Sequence, residues 1–385
     1  MLLPRIAQVM LSGFRNHVSL TLRPARSVVV LIGDNGVGKT NILEALSLFA
    51  PGRGLRRAEF ADMVHRPPGG AAQSEAPSCS GFSVSVTLDS EFGEKRLGTG
   101  LVSSLEAPKG YQRQHRIDGV PVPSAAAFTE YMRVLWLTPD MDGLFRGSAG
   151  ERRRFLDRLV LAVDSAHGAR VSALERALRS RNRILEETPG RVAWLDAVER
   201  EIVELGIAVA LARKEAVERL SGLIAATRDD ASPFPFAVLE LKGDVDALVA
   251  GKPAVEAEDA YRVLLRDNRA QDKAAARTLI GPQTSDLVVI HGPKAVAAGR
   301  ASTGEQKALL IGLILAQARL IKQMSGIAPL VLLDEIAAHL DTIRRKALFD
   351  TLEGFSGQVW VTGADESVFS GLAERADLFH IPPRG

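Results

Sequence analysis

The run Gly33-Asp34-Asn35-Gly36-Val37-Gly38-Lys39-Thr40 constrains this chain more than any other stretch. It reads G-x-x-x-x-G-K-T. It is entered from Val28-Val29-Val30-Leu31-Ile32 and left through Asn41-Ile42-Leu43-Glu44-Ala45-Leu46-Ser47-Leu48-Phe49. The first flank is short, β-branched and continuously apolar, as a strand buried on both faces of a parallel sheet must be. The second puts Ile42, Leu43, Leu46 and Phe49 at helical spacing. Between such flanks the glycines let backbone N–H groups close around phosphates, Lys39 adds a point charge, and Thr40 offers a hydroxyl to Mg²⁺. With Asn41 opening the helix, the stretch predicts a nucleoside triphosphate site at the edge of an α/β sheet.

A second segment reads as the complement of the first. Pro329-Leu330-Val331-Leu332-Leu333-Asp334-Glu335 is an apolar strand ending in two carboxylates. At the carboxyl end of a parallel strand, Asp334 can hold the Mg²⁺ that Thr40 also meets. Glu335 can orient or deprotonate an attacking water. Ser302-Thr303-Gly304-Glu305-Gln306-Lys307 precedes another apolar helix. Ser302 and Glu305 have capping-box spacing, so one reading is a helix start alone. The other is that the free N–H groups of that helix meet a phosphate, and the two readings are compatible.

The chain has 385 residues, enough for two or three domains. Its 48 basic residues nearly balance 46 acidic ones, so any nucleic-acid surface must come from local clustering. Cys79 is the single cysteine, which excludes an intramolecular disulfide and a multi-cysteine zinc site. Pro4, Arg5 and Gln8 interrupt the apolar start, and no run approaches the ~18 apolar residues of a membrane span. The expectation is a soluble, cytoplasmic protein without a membrane partner.

Alternation of Phe82, Val84, Val86 and Leu88 with Ser83, Ser85 and Thr87 predicts a half-exposed antiparallel strand. Strands are also expected around 5–22, at 111–117 before the turn Asp118-Gly119, and at 133–137. Residues 51–80 read as loops. A capping box at Ser148 and Glu151 predicts a helix start, and further helices are expected over 171–187, 192–227 and 256–277, with a break at Thr188-Pro189-Gly190. The division expected is 1–149, first part of a head domain; 150–275, a mostly helical insertion; and 276–385, the rest of the head.

The order of Ser302, Gly304 and Gln306, a helix, Asp334-Glu335 and then Leu340-Asp341 resembles that of ABC-type ATPases. In that family the γ-phosphate is sandwiched between one subunit's P-loop and the other's Ser-x-Gly-x-Gln element. The resemblance implies an ATP-dependent, head-to-tail homodimer, with Ser302, Gly304 and Gln306 acting on the partner's nucleotide and Asp341 crossing the same interface.

More narrowly, the chain resembles the RecF family over almost its whole length. The carriers are Leu11-Ser12-Gly13-Phe14-Arg15-Asn16, then Gly33 to Ala45, then Thr138-Pro139-Asp140-Met141. Gly147-Ser148-Ala149-Gly150-Glu151-Arg152-Arg153-Arg154-Phe155-Leu156-Asp157 and Gly281-Pro282 follow. The fold implied is an α/β ABC-type P-loop ATPase head, with a mixed β-sheet, flanking helices and an antiparallel β subdomain, carrying a mostly helical inserted domain. It is similar to the heads of SMC proteins without their long coiled coil.

The activity implied is a weak, DNA-stimulated ATPase that uses ATP and Mg²⁺, dimerises on ATP and binds double-stranded DNA at single-strand gaps and gap junctions. RecR and RecO would be its partners in loading RecA, in gap repair and the SOS response. A DNA clamp or scaffold with structural nucleotide is the alternative. The chain departs from the family pattern at Gln283-Thr284, where a basic residue or histidine often follows Gly-Pro, and His339 does not stand where ABC transporters place their switch histidine.

Local charge is uneven. Residues 152–183 carry a net +6, residues 186–230 a net −4, and residues 1–60 a net +5. Arg53, Arg56 and Arg57, and Arg152, Arg153 and Arg154, are therefore candidate phosphate contacts. The second trio could instead pair with Glu and Asp inside the dimer or anchor the helical domain. Arg179, Arg181 and Arg183 read either as phosphate contacts or as a solvated helix face.

Overall fold

The computed structural model describes residues 5–66, 81–90, 93–104, 110–187, 191–337, 340–372 and 374–382. Cys79, His339, the break at Thr188-Pro189-Gly190 and residues 67–80 of the expected 51–80 loop region lie outside the described residues. The chain forms two compact units. One comprises Met1–Met141, Ala231–Phe234 and Gln317–Gly385; the other comprises Asp142–Asp230 and Pro235–Ala316.

The first unit holds an all-parallel sheet of five strands in the order Asp377–His380, Val28–Ile32, Val359–Gly363, Leu330–Leu333, Val134–Leu137. The inner strands Val28–Ile32, Val359–Gly363 and Leu330–Leu333 are buried at every position, which is why the first and third are continuous apolar runs and the second is apolar up to Thr362. The same unit holds an antiparallel sheet of six strands in the order His17–Leu22, Arg5–Phe14, Gly81–Asp89, Lys95–Ser103, Tyr111–Ile117, Val120–Val122. Here burial alternates: Phe82, Val84, Val86 and Leu88 turn inward with Leu97 and Leu101, while Ser83 stands exposed. The helix Lys39–Ser47 follows the first parallel strand and buries Ile42, Leu43 and Leu46.

The second unit is mostly helical, with His167–Glu187 and Val192–Ala226 as its longest helices. Leu174, Leu178, Ile202, Val203, Ile207, Tyr261 and Leu265 form its apolar core. The expected helix over 256–277 is two helices, Ala254–Asp267 and Arg269–Ala274. A three-stranded antiparallel sheet, Val296–Ala297, Asp286–His291 and Ala237–Lys242, completes it. Residues 276–316, assigned from the sequence to the head, cluster with the helices, because Asp286–His291 pairs with Ala237–Lys242 across six register positions. Helix Thr303–Ser325 passes the boundary at 316/317. Among the described residues it is the one helix long and apolar enough to span a membrane, and 67% of that window is buried in the protein, as a core helix can be.

The three arginines at 179, 181 and 183 part company. Arg179 and Arg183 are exposed, whereas Arg181 is fully buried and is neither a solvated residue nor a phosphate contact. It donates to Glu199 at 2.9 Å, Asp272 at 2.6 Å, Thr278 at 2.9 Å and the Leu265 carbonyl at 2.8 Å. A buried guanidinium is tolerated only when its donors are met this fully. Glu199 also takes Arg269, at 3.0 and 2.5 Å.

Candidate functional site

The carboxyl ends of the parallel strands carry the P-loop, Asp334 and Thr362, as ligand sites in such sheets require. Gly38 caps the P-loop helix in a left-handed conformation, φ +107°, and a Cβ there would collide with the Asn16 amide. Gly33 has φ +154° and passes within 2.8 Å of the Ile381 carbonyl, measured from the position a Cβ would take. Lys39 is 4% exposed, and its Nζ donates to the Gly33 and Asp34 carbonyls at 2.6 and 2.9 Å. The ammonium therefore lies inside the turn that its own loop makes.

Thr40 Oγ1 donates to both oxygens of Asp334, at 2.9 and 3.0 Å, and Thr362 Oγ1 donates to Asp334 Oδ1 at 2.7 Å. Thr40 and Asp334, 294 positions apart, are thus neighbours at one point. Glu335 follows with φ +50°, a left-handed conformation uncommon for a non-glycine residue. Its N–H donates to Thr362 Oγ1 at 2.9 Å, which holds it there. Thr362 therefore touches both acids, and the sequence reading assigned it no part. A hydroxyl at the end of a buried apolar strand was the available signal.

Asn16 is a second contributor whose role was not read from sequence. Its Nδ2 donates to the Val37 carbonyl at 2.5 Å, and its Oδ1 accepts from Asn41 Nδ2 at 2.6 Å. His17 Nε2 lies 3.2 Å from the Gly38 carbonyl. Asn41 Oδ1 accepts from Arg56 at 2.7 Å. Arg56 also meets Glu44 at 3.2 Å, and Arg15 grips the fully buried Glu44 with two bonds of 2.9 and 2.6 Å. The loop is thus braced from outside by the Arg5–Phe14 / His17–Leu22 hairpin.

Oxygen donors of this kind suit a hard divalent cation held through one carboxylate and one hydroxyl, its other ligands coming from phosphates and water. Among the described residues no cluster of three or more His, Cys, Asp or Glu could cage a metal unaided, which fits that division.

In the second unit, Ser302 is exposed and exchanges bonds with Glu305: Ser302 N–H and Oγ donate to Oε2 at 3.0 and 2.9 Å, and Glu305 N–H donates back at 3.4 Å. The ion pair with Lys294, at 2.7 Å, together with the Ser302 backbone and hydroxyl donors, holds the Glu305 carboxyl down at about 2. Gly304 is half-buried. Gln306 turns inward, 2% exposed, and its amide donates to the Ala301 carbonyl at 2.7 Å. Asp341, in the first unit, caps helix Thr342–Glu353 by accepting from Arg344 N–H at 2.8 Å.

The candidate DNA arginines divide. Arg152 makes a two-bond clamp on Asp286, at 2.7 and 2.8 Å, and Arg153 donates to the Ser285 carbonyl at 2.5 Å. These two serve the anchoring alternative; Arg154 is exposed. Arg53 pairs with Glu59 at 2.8 Å on the surface, and Arg57 has a left-handed backbone, φ +53°.

A family profile described as "RecF/RecN/SMC N terminal domain" matches residues 5–381. The chain is similar to the DNA replication and repair protein RecF of Rhizobium rhizogenes, 50% identical over 380 residues, 99% of this chain and 97% of that protein. A solved RecF bound to ATPrS, described as the recombination mediator of the RecFOR pathway, matches with a TM-score of 0.81 at 20% identity, covering 95% of this chain and 94% of its own. The Pyrococcus furiosus Smc head domain matches with a TM-score of 0.50 at 17% identity, covering 95% and 91%. The chain therefore belongs to the RecF family of DNA replication and repair proteins and has the fold of an SMC-type ATPase head.

Proposed function

We propose that this protein is a DNA-binding recombination mediator whose pairing with a second copy is timed by slow ATP hydrolysis in the cytoplasm. The observation that carries the reading is the meeting of Thr40, Asp334 and Thr362 beside a P-loop whose lysine already points into the loop. The solved RecF bound to ATPrS and the 50% identical DNA replication and repair protein support ATP as the nucleotide and DNA repair as the setting.

The backbone N–H groups of Gly33 to Lys39 bind the phosphates, and Lys39 moves from its loop carbonyls to a phosphate oxygen. Mg²⁺, when bound, neutralises charge developing on the β- and γ-phosphate oxygens. Thr40 and Asp334 are the residues that would hold it. Thr362 fixes Asp334 and aims Glu335, which acts as general base toward water. Ser302, Gly304 and Gln306 of a second copy would complete each site, with Asp341 at the same interface and Glu305 kept ionised to maintain the cap. Gln306 would serve by shaping the turn at Ala301. Hydrolysis is then slow because half of the site arrives only on pairing.

The duplex at gap junctions would be held without base reading, through Arg53, Arg56, Arg57 and Arg154, with RecR and RecO as partners in RecA loading. Binding of that kind weakens steeply with salt. Glu335→Gln tests the scheme. ATP-bound dimers of the variant should accumulate in sedimentation and fail to release gapped duplex. Dimer lifetime equal to wild type would favour a scaffold with structural nucleotide and overturn the timing role.

A further inference from the structure

The outer face of the antiparallel sheet, turned away from the P-loop, has a hollow of about 560 Å³. Its two faces are chemically unlike. Arg113 on the inner face donates to the Leu48 carbonyl at the end of the P-loop helix, at 2.8 Å, so that face looks toward the nucleotide helix. The outer face carries Ser83, Ser85, Gly98, Gly100, Gln114 and Arg116, paired across three strands as Ser83–Gly100–Gln114 and Ser85–Gly98–Arg116.

Gly98 forms the floor. Its backbone is ordinary strand, and a Cβ built on it meets nothing within 4 Å. Neither conformation nor crowding demands glycine there, and glycine inside a strand costs about 0.5–1 kcal/mol relative to alanine. With no bulge at Gly98 in the register, the remaining use of a mid-strand glycine is close approach by a ligand or another backbone.

The walls offer donors rather than acceptors. Arg96 and Arg116 are exposed and adjoin the floor, and Ser83, Ser85 and the Gln114 amide line the rest of the hollow. The one carboxylate lining the hollow, Asp118, is engaged: it accepts from Lys95 Nζ and the Arg96 N–H, both at 2.8 Å. Gln114 Oε1 already accepts from Arg116 at 3.4 Å. The strands Gly81–Asp89 and Lys95–Ser103 are paired along both edges, so an added peptide strand finds no ladder edge at the floor. A ligand with only acceptors and negative charge fits this inventory, and a phosphodiester is such a ligand.

Width selects among nucleic acids. From Ser85 across Gly98 to Arg116 is two inter-strand steps, about 10 Å. That admits one sugar–phosphate strand but not a duplex. Phe82 is the one aromatic residue lining the hollow, and its ring is buried on the inner face against Phe14, so bases would not be stacked or read.

We propose that this hollow is a second nucleic-acid site, which holds the backbone of a single DNA strand. It rests on the proposed DNA role but not on the nucleotide chemistry. At a gap it would take the unpaired strand while the duplex lies elsewhere.

The test is fluorescence anisotropy of a labelled oligothymidylate, and in parallel a blunt duplex, between 50 and 200 mM salt. The Arg96→Gln/Arg116→Gln double variant removes two phosphate contacts. It should lower the salt slope for the single strand by about 1.4, a loss of about 60-fold at 50 mM and about tenfold at 200 mM. Gly98→Gln keeps both arginines and fills the floor, and it should weaken single-strand binding while leaving duplex binding unchanged and thermal stability no lower than wild type.

Wild-type single-strand affinity in both variants overturns the site. So does loss in the arginine variant alone, which would mean diffuse charge rather than a hollow, and so does equal loss for the duplex. Absence of all DNA binding by the wild type would instead strike the proposed function itself.

Discussion

Thr362→Val is the most informative single change, because it exchanges a hydroxyl for a methyl at nearly constant volume in a residue with no exposure. The hydroxyl donates to Asp334 Oδ1 at 2.7 Å and accepts from Glu335 N–H at 2.9 Å. Valine orphans one buried N–H and takes one donor from a carboxylate, each worth about 1–3 kcal/mol. Glu335 also loses the bond that holds its left-handed backbone, a conformation costing about 1–3 kcal/mol by itself. It should relax, carrying its carboxylate away from the water it is proposed to activate.

At tenfold per 1.4 kcal/mol, kcat should fall by about 10- to 100-fold. KM should change little, because Lys39 and the loop N–H groups are untouched. Steady-state phosphate release with gapped duplex gives the split between kcat and KM. Thr362→Ser restores the hydroxyl and should recover most of the turnover. Wild-type kcat in the valine variant, or a serine variant no better than valine, would refute the argument.

Three further outcomes follow from the same geometry. Asn16→Ala removes the brace on the Val37 carbonyl and should raise KM for ATP several-fold with a smaller effect on kcat, read in the same assay. Arg181→Met leaves Asp272 without its cation and Glu199 with Arg269 alone, so the helical unit should lose about 3–5 kcal/mol in denaturant unfolding. A loss below about 1 kcal/mol would contradict the network. Burial, and then the Arg113 charge, push the His115 imidazole down to about 4. Its folded value lies below its unfolded one, so stability is full above about 6.5 and declines as pH falls toward 4. His115→Phe should flatten thermal stability across that window, and an unchanged slope would count against it.

The sequence reading reached furthest where burial was symmetrical or a motif was local. Val28 to Ile32, the P-loop, the Ser148–Glu151 capping box and the strand Tyr111–Ile117 stand where pattern placed them. The strand Lys95–Ser103 was not read, because Gly98 and Gly100 erase the apolar alternation that marks a strand. Arg181 misled because an arginine at helical spacing is ordinarily solvated, and only the fold shows four acceptors from other segments converging on it. Thr362 and Asn16 act through partners 27 or 28 and 21 or 25 positions away, a distance at which no local pattern speaks.

That each nucleotide site is shared between two copies is the centre of the account, and mixing two inactive variants tests it most directly. Lys39→Met disables a P-loop, and Ser302→Arg disables the element offered to the partner. Each alone should be inactive. In a mixture, half of the dimers pair one of each, and such a dimer keeps one intact site of its two. ATPase activity should therefore return to about a quarter of wild type. No recovery in a mixture that still forms ATP-dependent dimers, or full activity of Ser302→Arg alone, would contradict the account.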